Sequence, residues 1–291
     1  MPAPVFAPGL RTFADRFEGF VVDQWGVLHD GTRPYPDVAA TLRELKRRGK
    51  RIVLLSNSGR RAEFNRRVLA QMGFDLADFD AVVTSGEAAW LQLRNRTLPD
   101  FAALGTRCVL LTREGDLSVA ADLDLTLVDD PAEAQFVFLS GVDGPASTLD
   151  DYLPVLDAAL ARRLPVLCSN PDLVAVSPDG LHLAPGTLAE HYERRGGRVI
   201  YVGKPHLPIY GACLAALGGL AREAIVAIGD SLQHDIKGAN AAGIKSAFVR
   251  DGIHAAEFPE GAREDQWALA LERLATRHEG RPDFVIPRLV W

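Results

Sequence analysis

The sequence predicts an α/β protein in which a largely parallel, helix-covered sheet forms a core and a second α/β unit is inserted into it. Three observations carry this expectation. Strand-like apolar runs alternate with helical patterns almost throughout the chain, the order that lays helices over a parallel sheet. Compact polar motifs end the runs before about residue 86 and after about residue 198, whereas the stretch between reads as its own β/α unit. The 291 residues suffice for one large domain or two ordinary ones, and a 47% hydrophobic fraction promises a filled core.

In chain order, FVVD (20–23) is followed by the helical pattern DVAATLRELKRRG (37–49), whose last glycine is a helix stop. RIVLLSN (51–57) precedes the helix AEFNRRVLAQMG (62–73), and DAVVTS (80–85) closes the first core segment. RCVLLT (107–112), LTLVD (125–129) and AQFVFLS (134–140) lead to the helix DDYLPVLDAALARR (150–163). LPVLCS (164–169) leads to PGTLAEHYERRGG (185–197), after which RVIYVG (198–203), AIVAIGD (224–230) and SAFVRD (246–251) read as strands. The expected division is core 1–86, inserted unit 87–188 and core 189–291. The apolar tail PDFVIPRLVW is expected to pack on the core or at the seam of a homodimer.

Composition excludes several functions. Net charge is −6 with no Lys/Arg run, so no nucleic-acid surface is expected. No apolar run approaches the length of a membrane span. Cys108, Cys168 and Cys213 stand far apart without a CxxC pair, which points to buried thiols rather than zinc or disulfides. The N-terminal stretch lacks the apolar segment of a signal peptide, and the expected compartment is the cytoplasm.

Ligands of open α/β sheets bind beyond the carboxyl ends of the strands. There the sequence puts Asp23 (VVD), Ser56 and Asn57 (LLSNSGR), Asp230 and Asp235 (VAIGDSLQHD), and Lys204 (VGKPH). Each alone is an ordinary turn, cap or loop residue. Three acids, a hydroxyl and an ammonium together suit phosphoryl transfer through an aspartyl-phosphate. A divalent cation shared by the carboxylates would remove their repulsion for a phosphate dianion. Mg2+ takes few protein oxygens, so Asp23, Asp230 and one backbone carbonyl would suffice, with Asp235 in support. Ser56 and nearby backbone N–H groups can donate to phosphate oxygens, and Lys204 can counter the developing charge.

The series VVDQWGV, LLSNSGR, VGKPH and AIGDSLQHDIKGANAAG resembles the four motifs of the haloacid dehalogenase-like (HAD) hydrolase superfamily. An insertion of about a hundred residues between the second and third, with SNPDL (169–173) and APGTLAEHYERRGG (184–197), resembles its NagD-like, class IIA capped branch. The wording DQWGVLHDG with LCSNPDLV and GKPHLPIY is most similar to a bacterial subgroup of that branch. The resemblance implies a Rossmann-like core with a mobile α/β cap, Mg2+ dependence and hydrolysis of small phosphorylated metabolites. Sugar phosphates, nucleoside monophosphates and pyridoxal phosphate all fit such a site. By motif position, Asp23 is nucleophile and metal ligand, Trp25 a metal ligand through its backbone carbonyl, and Asp230 a metal ligand supported by Asp235. Ser56 and Asn57 bind phosphate, as does Lys204, which also stabilises charge.

Trp25 departs from the pattern, because the family's phosphatases carry an acid–base aspartate there. Indole does not titrate. Either His29 or Asp30 substitutes, or the leaving group is a good one, or the chain is a catalytically weak or silent phospho-ligand-binding protein. His29 and Asp30 read equally well as turn residues. His206 and His234 are further candidates, and Arg113, Asp143 and Asp172 are candidates for selectivity. Dehalogenation by an aspartate is a third reading, but it needs no cation and leaves the acidic cluster unexplained.

Overall fold

The computed structural model describes residues 3–144, 146–177, 180–258 and 261–291. The chain divides into two compact units: Met1–Ser56, Arg66–Val83 and Lys204–Trp291 form the first, Asn57–Asn65 with Thr84–Gly203 the second. Its strands, in chain order, are β1 (Val5–Phe6), β2 (Gly19–Asp23), β3 (Arg51–Ser56), β4 (Ala81–Thr84), β5 (Arg107–Leu111), β6 (Thr126–Leu127) and β7 (Phe136–Leu139). They continue with β8 (Val166–Cys168), β9 (Val174–Ser177), β10 (Gly180–Leu183), β11 (Val199–Tyr201), β12 (Ile225–Gly229), β13 (Lys245–Val249) and β14 (Phe284–Ile286).

The first unit is built on a sheet in the order β1, β14, β13, β12, β2, β3, β4. The pairs β1/β14, β14/β13, β13/β12, β12/β2 and β2/β3 are all parallel. Every residue of β2 is buried, as expected of a strand covered on both faces, which is why it reads as an unbroken apolar run. From β2 the chain steps to β3 and β4 on one side, and later to β12, β13 and β14 on the other. The ends of β12, β2 and β3 therefore lie side by side where the strand order reverses, the ligand position of such sheets.

Helix Val38–Arg47 buries Val38, Thr41, Leu42 and Leu45, the i, i+3, i+4, i+7 stripe that periodicity predicts. Helix Glu264–His278, absent from the sequence expectations, buries Leu271 and Leu274 against Leu232, Ile236, Phe248 and Val285. The apolar tail becomes β14, inserted between β13 and β1. Phe284 stacks on Phe13 at 4.1 Å, so the tail packs on the core.

The second unit holds a sheet in the order β11, β8, β7, β5, β6 and an antiparallel hairpin of β9 and β10. Val137, Leu139, Val166 and Cys168 pack with Leu156 of helix Leu153–Ala161 and with Leu188 and Tyr192 of helix Pro185–Arg194. Against the expected limits of 87 and 188, this unit's contacts run from Thr84 to Gly203. The reason is that β11 pairs in parallel with β8, Val199 opposite Val166, and so belongs to this sheet and not to the core. Residues 57–65 join it as well: Ser140 Oγ donates to Gly59 O at 2.8 Å, and Arg61 Nε and Nη2 donate to the Glu87 carboxylate at 2.7 and 3.0 Å. LTLVD contributes only Thr126–Leu127 as a strand, and the β9–β10 hairpin had no counterpart among the expected runs.

Candidate active site

Asp23 is the last residue of β2, Ser56 the last of β3, and Asp230 follows β12 directly. Asp235 rides a π-type turn, Leu232–Ile236, which brings it back towards the strand end. Its Oδ2 accepts from the Ser231 N–H at 3.0 Å, and its backbone carbonyl accepts from the Tyr210 hydroxyl at 2.9 Å. Carboxylate oxygens of Asp23, Asp230 and Asp235 lie within 4.8 Å of one another, all buried. Lys204, in the loop before helix Leu207–Ala216, donates from Nζ to Asp23 Oδ1 at 2.6 Å and to Asp235 Oδ1 at 2.7 Å. Ser56 is buried at its strand end.

Glycines let these acids sit so close to the backbone. A Cβ on Gly26 would stand 1.9 Å from Asp230 Oδ2, and one on Gly252 2.4 Å from the same oxygen. On Gly229 it would meet Asp235 Cγ at 2.1 Å. The loop after β13 also donates the Ile253 N–H to Asp230 Oδ2 at 2.8 Å. Sequence reasoning gave no role to Tyr210, though it ends GKPHLPIY, and missed Gly252 and Ile253, since a backbone donor and a packing glycine leave no motif. The one available signal was DGI (251–253), a turn directly after a strand-like run.

Burial and mutual repulsion make ionisation of these acids costly. Burial first, then the Asp235 carboxylate, push Asp23 well above the usual carboxyl range despite the opposing pull of Lys204. Burial and Asp235 likewise push Asp230 up to about 7. Burial works against the Lys204 ammonium, but the carboxylates of Asp23 and Asp235 hold its pKa well above the ordinary value. When ionised, three carboxylates facing one ammonium leave two negative charges in a buried site. An all-oxygen donor set with that surplus fits a hard divalent ion such as Mg2+.

The residues near Trp25 are engaged otherwise. His29 Nδ1 accepts from the Gly31 N–H at 2.9 Å, and Nε2 meets the Gln24 carboxamide at 3.0 Å. Burial pushes this imidazole down to about 4, so it is neutral near pH 7. Asp30 accepts from the Thr32 hydroxyl, the Thr32 N–H and the Arg33 N–H. These bonds hold it near 2, too acidic to deliver a proton at neutral pH. Both are builders of the turn. Burial, then His234 and Lys237, push His206 down to about 4.

Within the second unit, Asn57 Nδ2 donates to Asp172 Oδ1 at 2.7 Å and its Oδ1 accepts from Ser85 Oγ at 3.3 Å. The Asn57 side chain is thus committed to that unit's own network. Asp143 accepts from the Glu114 N–H at 2.8 Å, and Arg113 lies 3.5 Å from the Glu114 carboxylate.

Fold and site together define an α/β protein with a buried acidic centre at the switch point of a parallel sheet. The chain belongs to the haloacid dehalogenase-like hydrolase family, matched over residues 74–243 by one family model and over 20–126 by another of that description. A third, HAD-hydrolase-like, matches 201–290. The D-glycerol 3-phosphate phosphatase of Mycobacterium tuberculosis is 27% identical over 253 residues, covering 85% of this chain and 67% of that protein. The crystal structure of a haloacid dehalogenase-like hydrolase from Brucella suis superposes with a TM-score of 0.79 at 29% identity, over 100% of both chains. A 4-nitrophenylphosphatase from Thermotoga maritima does so with a TM-score of 0.70 at 28% identity, over 95% of this chain and 96% of that one.

Proposed function

We propose that this chain is a Mg2+-dependent phosphatase of small phosphorylated metabolites, acting through an aspartyl-phosphate on Asp23. The observation that carries the reading is Asp23 Oδ1 held 2.6 Å from Lys204 Nζ, with carboxylate oxygens of Asp230 and Asp235 within 4.8 Å. Family membership and the phosphatases among its relatives support it. Asp23, Asp230 and the Trp25 backbone carbonyl would hold the cation, with Asp235 orienting Lys204. Bound there, Mg2+ neutralises the surplus carboxylate charge and shields the phosphate dianion from it.

The Asp23 carboxylate attacks phosphorus, and the bond from phosphorus to the ester oxygen breaks with both electrons leaving on that oxygen. Lys204 keeps Asp23 oriented and counters charge on the transferring group. The Ser56 hydroxyl donates to a phosphoryl oxygen. Water then attacks the phosphorus of the acyl phosphate, the bond to Asp23 breaks, and orthophosphate departs. Three free, buried cysteines suit a reducing compartment, and we place the enzyme in the cytoplasm.

One observation favours a second reading, a phospho-ligand-binding protein without turnover: neither His29 nor Asp30 is available to replace the missing acid. Phosphate release from a panel of phosphomonoesters in millimolar MgCl2, with Asp23→Asn as the blank, separates the two. Release above the blank is expected. Blank-level release from every ester, with phosphate still bound, would install the silent reading.

A further inference from the structure

Trp25 is 44% exposed, an unusual place for the largest side chain, and it stands two residues past Asp23. Its indole is braced, not loose. The ring lies edge-on to His29, centroids 5.5 Å apart, and a Cβ on Gly31 would come within 2.2 Å of indole Cη2. His29 is itself fixed by the Gly31 N–H and by Gln24.

A second exposed apolar residue belongs to a neighbouring segment. The backbones of Gly26, next to Trp25, and of Ile253 converge on one atom, Asp230 Oδ2. The Ile253 side chain is 70% exposed. Single exposed apolar residues need no explanation. Here two large ones belong to segments whose backbones meet on the same carboxylate oxygen of a charged site.

We infer that Trp25 is a specificity-determining residue whose exposed indole face stacks on an aromatic leaving group, which makes aryl phosphomonoesters the substrate class. This rests on the phosphatase reading above. Two properties of one residue select the same chemistry. Lacking an acid, the site favours ester oxygens that depart unprotonated, as phenolic ones do. Presenting an indole, it favours flat rings, which gain by offset stacking over saturated groups of equal size.

Phosphonates test recognition apart from turnover, because their carbon–phosphorus bond does not leave. Calorimetric titration in MgCl2 compares phenyl-, cyclohexyl- and methylphosphonate against the wild type, Trp25→Phe and Trp25→Ala. Phenylphosphonate is expected to bind the wild type about 3- to 10-fold tighter than cyclohexylphosphonate. Trp25→Phe should keep part of that preference and Trp25→Ala should erase it. Equal binding of the two rings by the wild type overturns the inference while leaving the phosphatase reading intact, and so does a preference that survives in Trp25→Ala. Failure of all three phosphonates to bind overturns both.

Discussion

An indole neither gives nor takes the proton that a carboxyl group would move, and His29 and Asp30 beside it are engaged in the turn. Asp30 is held near 2 by its three local hydrogen bonds, and both ring nitrogens of His29 are engaged. Unassisted departure makes the rate follow leaving-group pKa steeply. Single-turnover rates for aryl phosphates should exceed those for alkyl esters by about 10²–10⁴-fold, the usual worth of general acid catalysis. Trp25→Asp should narrow that gap by raising the alkyl rates. Similar aryl and alkyl rates in the wild type would show that another group supplies the proton. Lys204 allows a second expectation at this scale. Removing its ammonium leaves three carboxylates without their buried counter-charge, so Lys204→Met should lower kcat by about 10²–10³-fold. Circular dichroism at saturating MgCl2 checks that the fold survives; unchanged kcat would remove Lys204 from the chemistry.

The elements that hold these residues were legible to different degrees. β2, β3 and β12 are central strands whose apolar runs end in the polar groups of the site, so Asp23, Ser56 and Asp230 could be placed from sequence alone. RVIYVG looks the same whether it joins one sheet or another. Its pairing with β8 is a non-local fact that motif density does not carry, and it takes the second unit on to Gly203. The loop after β13 was opaque for another reason: it acts through the Ile253 N–H and the absence of a side chain at Gly252. That loop carries its own test. Gly252→Ala would drive a methyl to within 2.4 Å of Asp230 Oδ2 and displace the carboxylate. Mg2+ affinity should fall by about 10–100-fold, as when the supports of a metal ligand are disturbed. Mg2+ titration of activity reads this out, and an unchanged half-saturation would take the loop out of the metal site.

For the whole molecule, the carboxylate cluster ties folding stability to pH. In the metal-free chain Asp230 keeps its proton up to about pH 7, whereas unfolded it would release it near 3.9. Between those values the folded state binds more protons, so stability falls as pH rises through the window. Asp23, also raised by burial and Asp235, pulls in the same direction. A cation held as proposed would oppose the effect, since it would bind the ionised carboxylates of the folded form and stabilise fully only above about pH 7. The two units have separate cores, one around Leu232, Phe248 and Leu271 and the other around Val137, Leu156 and Tyr192. All three acids belong to the first. Calorimetric scans of chelated protein should therefore give a falling transition temperature for that unit between pH 5 and about pH 7. Mg2+ at about a hundred times its dissociation constant should restore about 2.7 kcal/mol, a rise of about 5–10 °C, at pH 8 and much less at pH 5. If the scans resolve two transitions, only one should respond. A transition insensitive to Mg2+ at pH 8 would mean that the cluster is balanced within the protein, by Lys204 and retained protons, and that no cation site exists there.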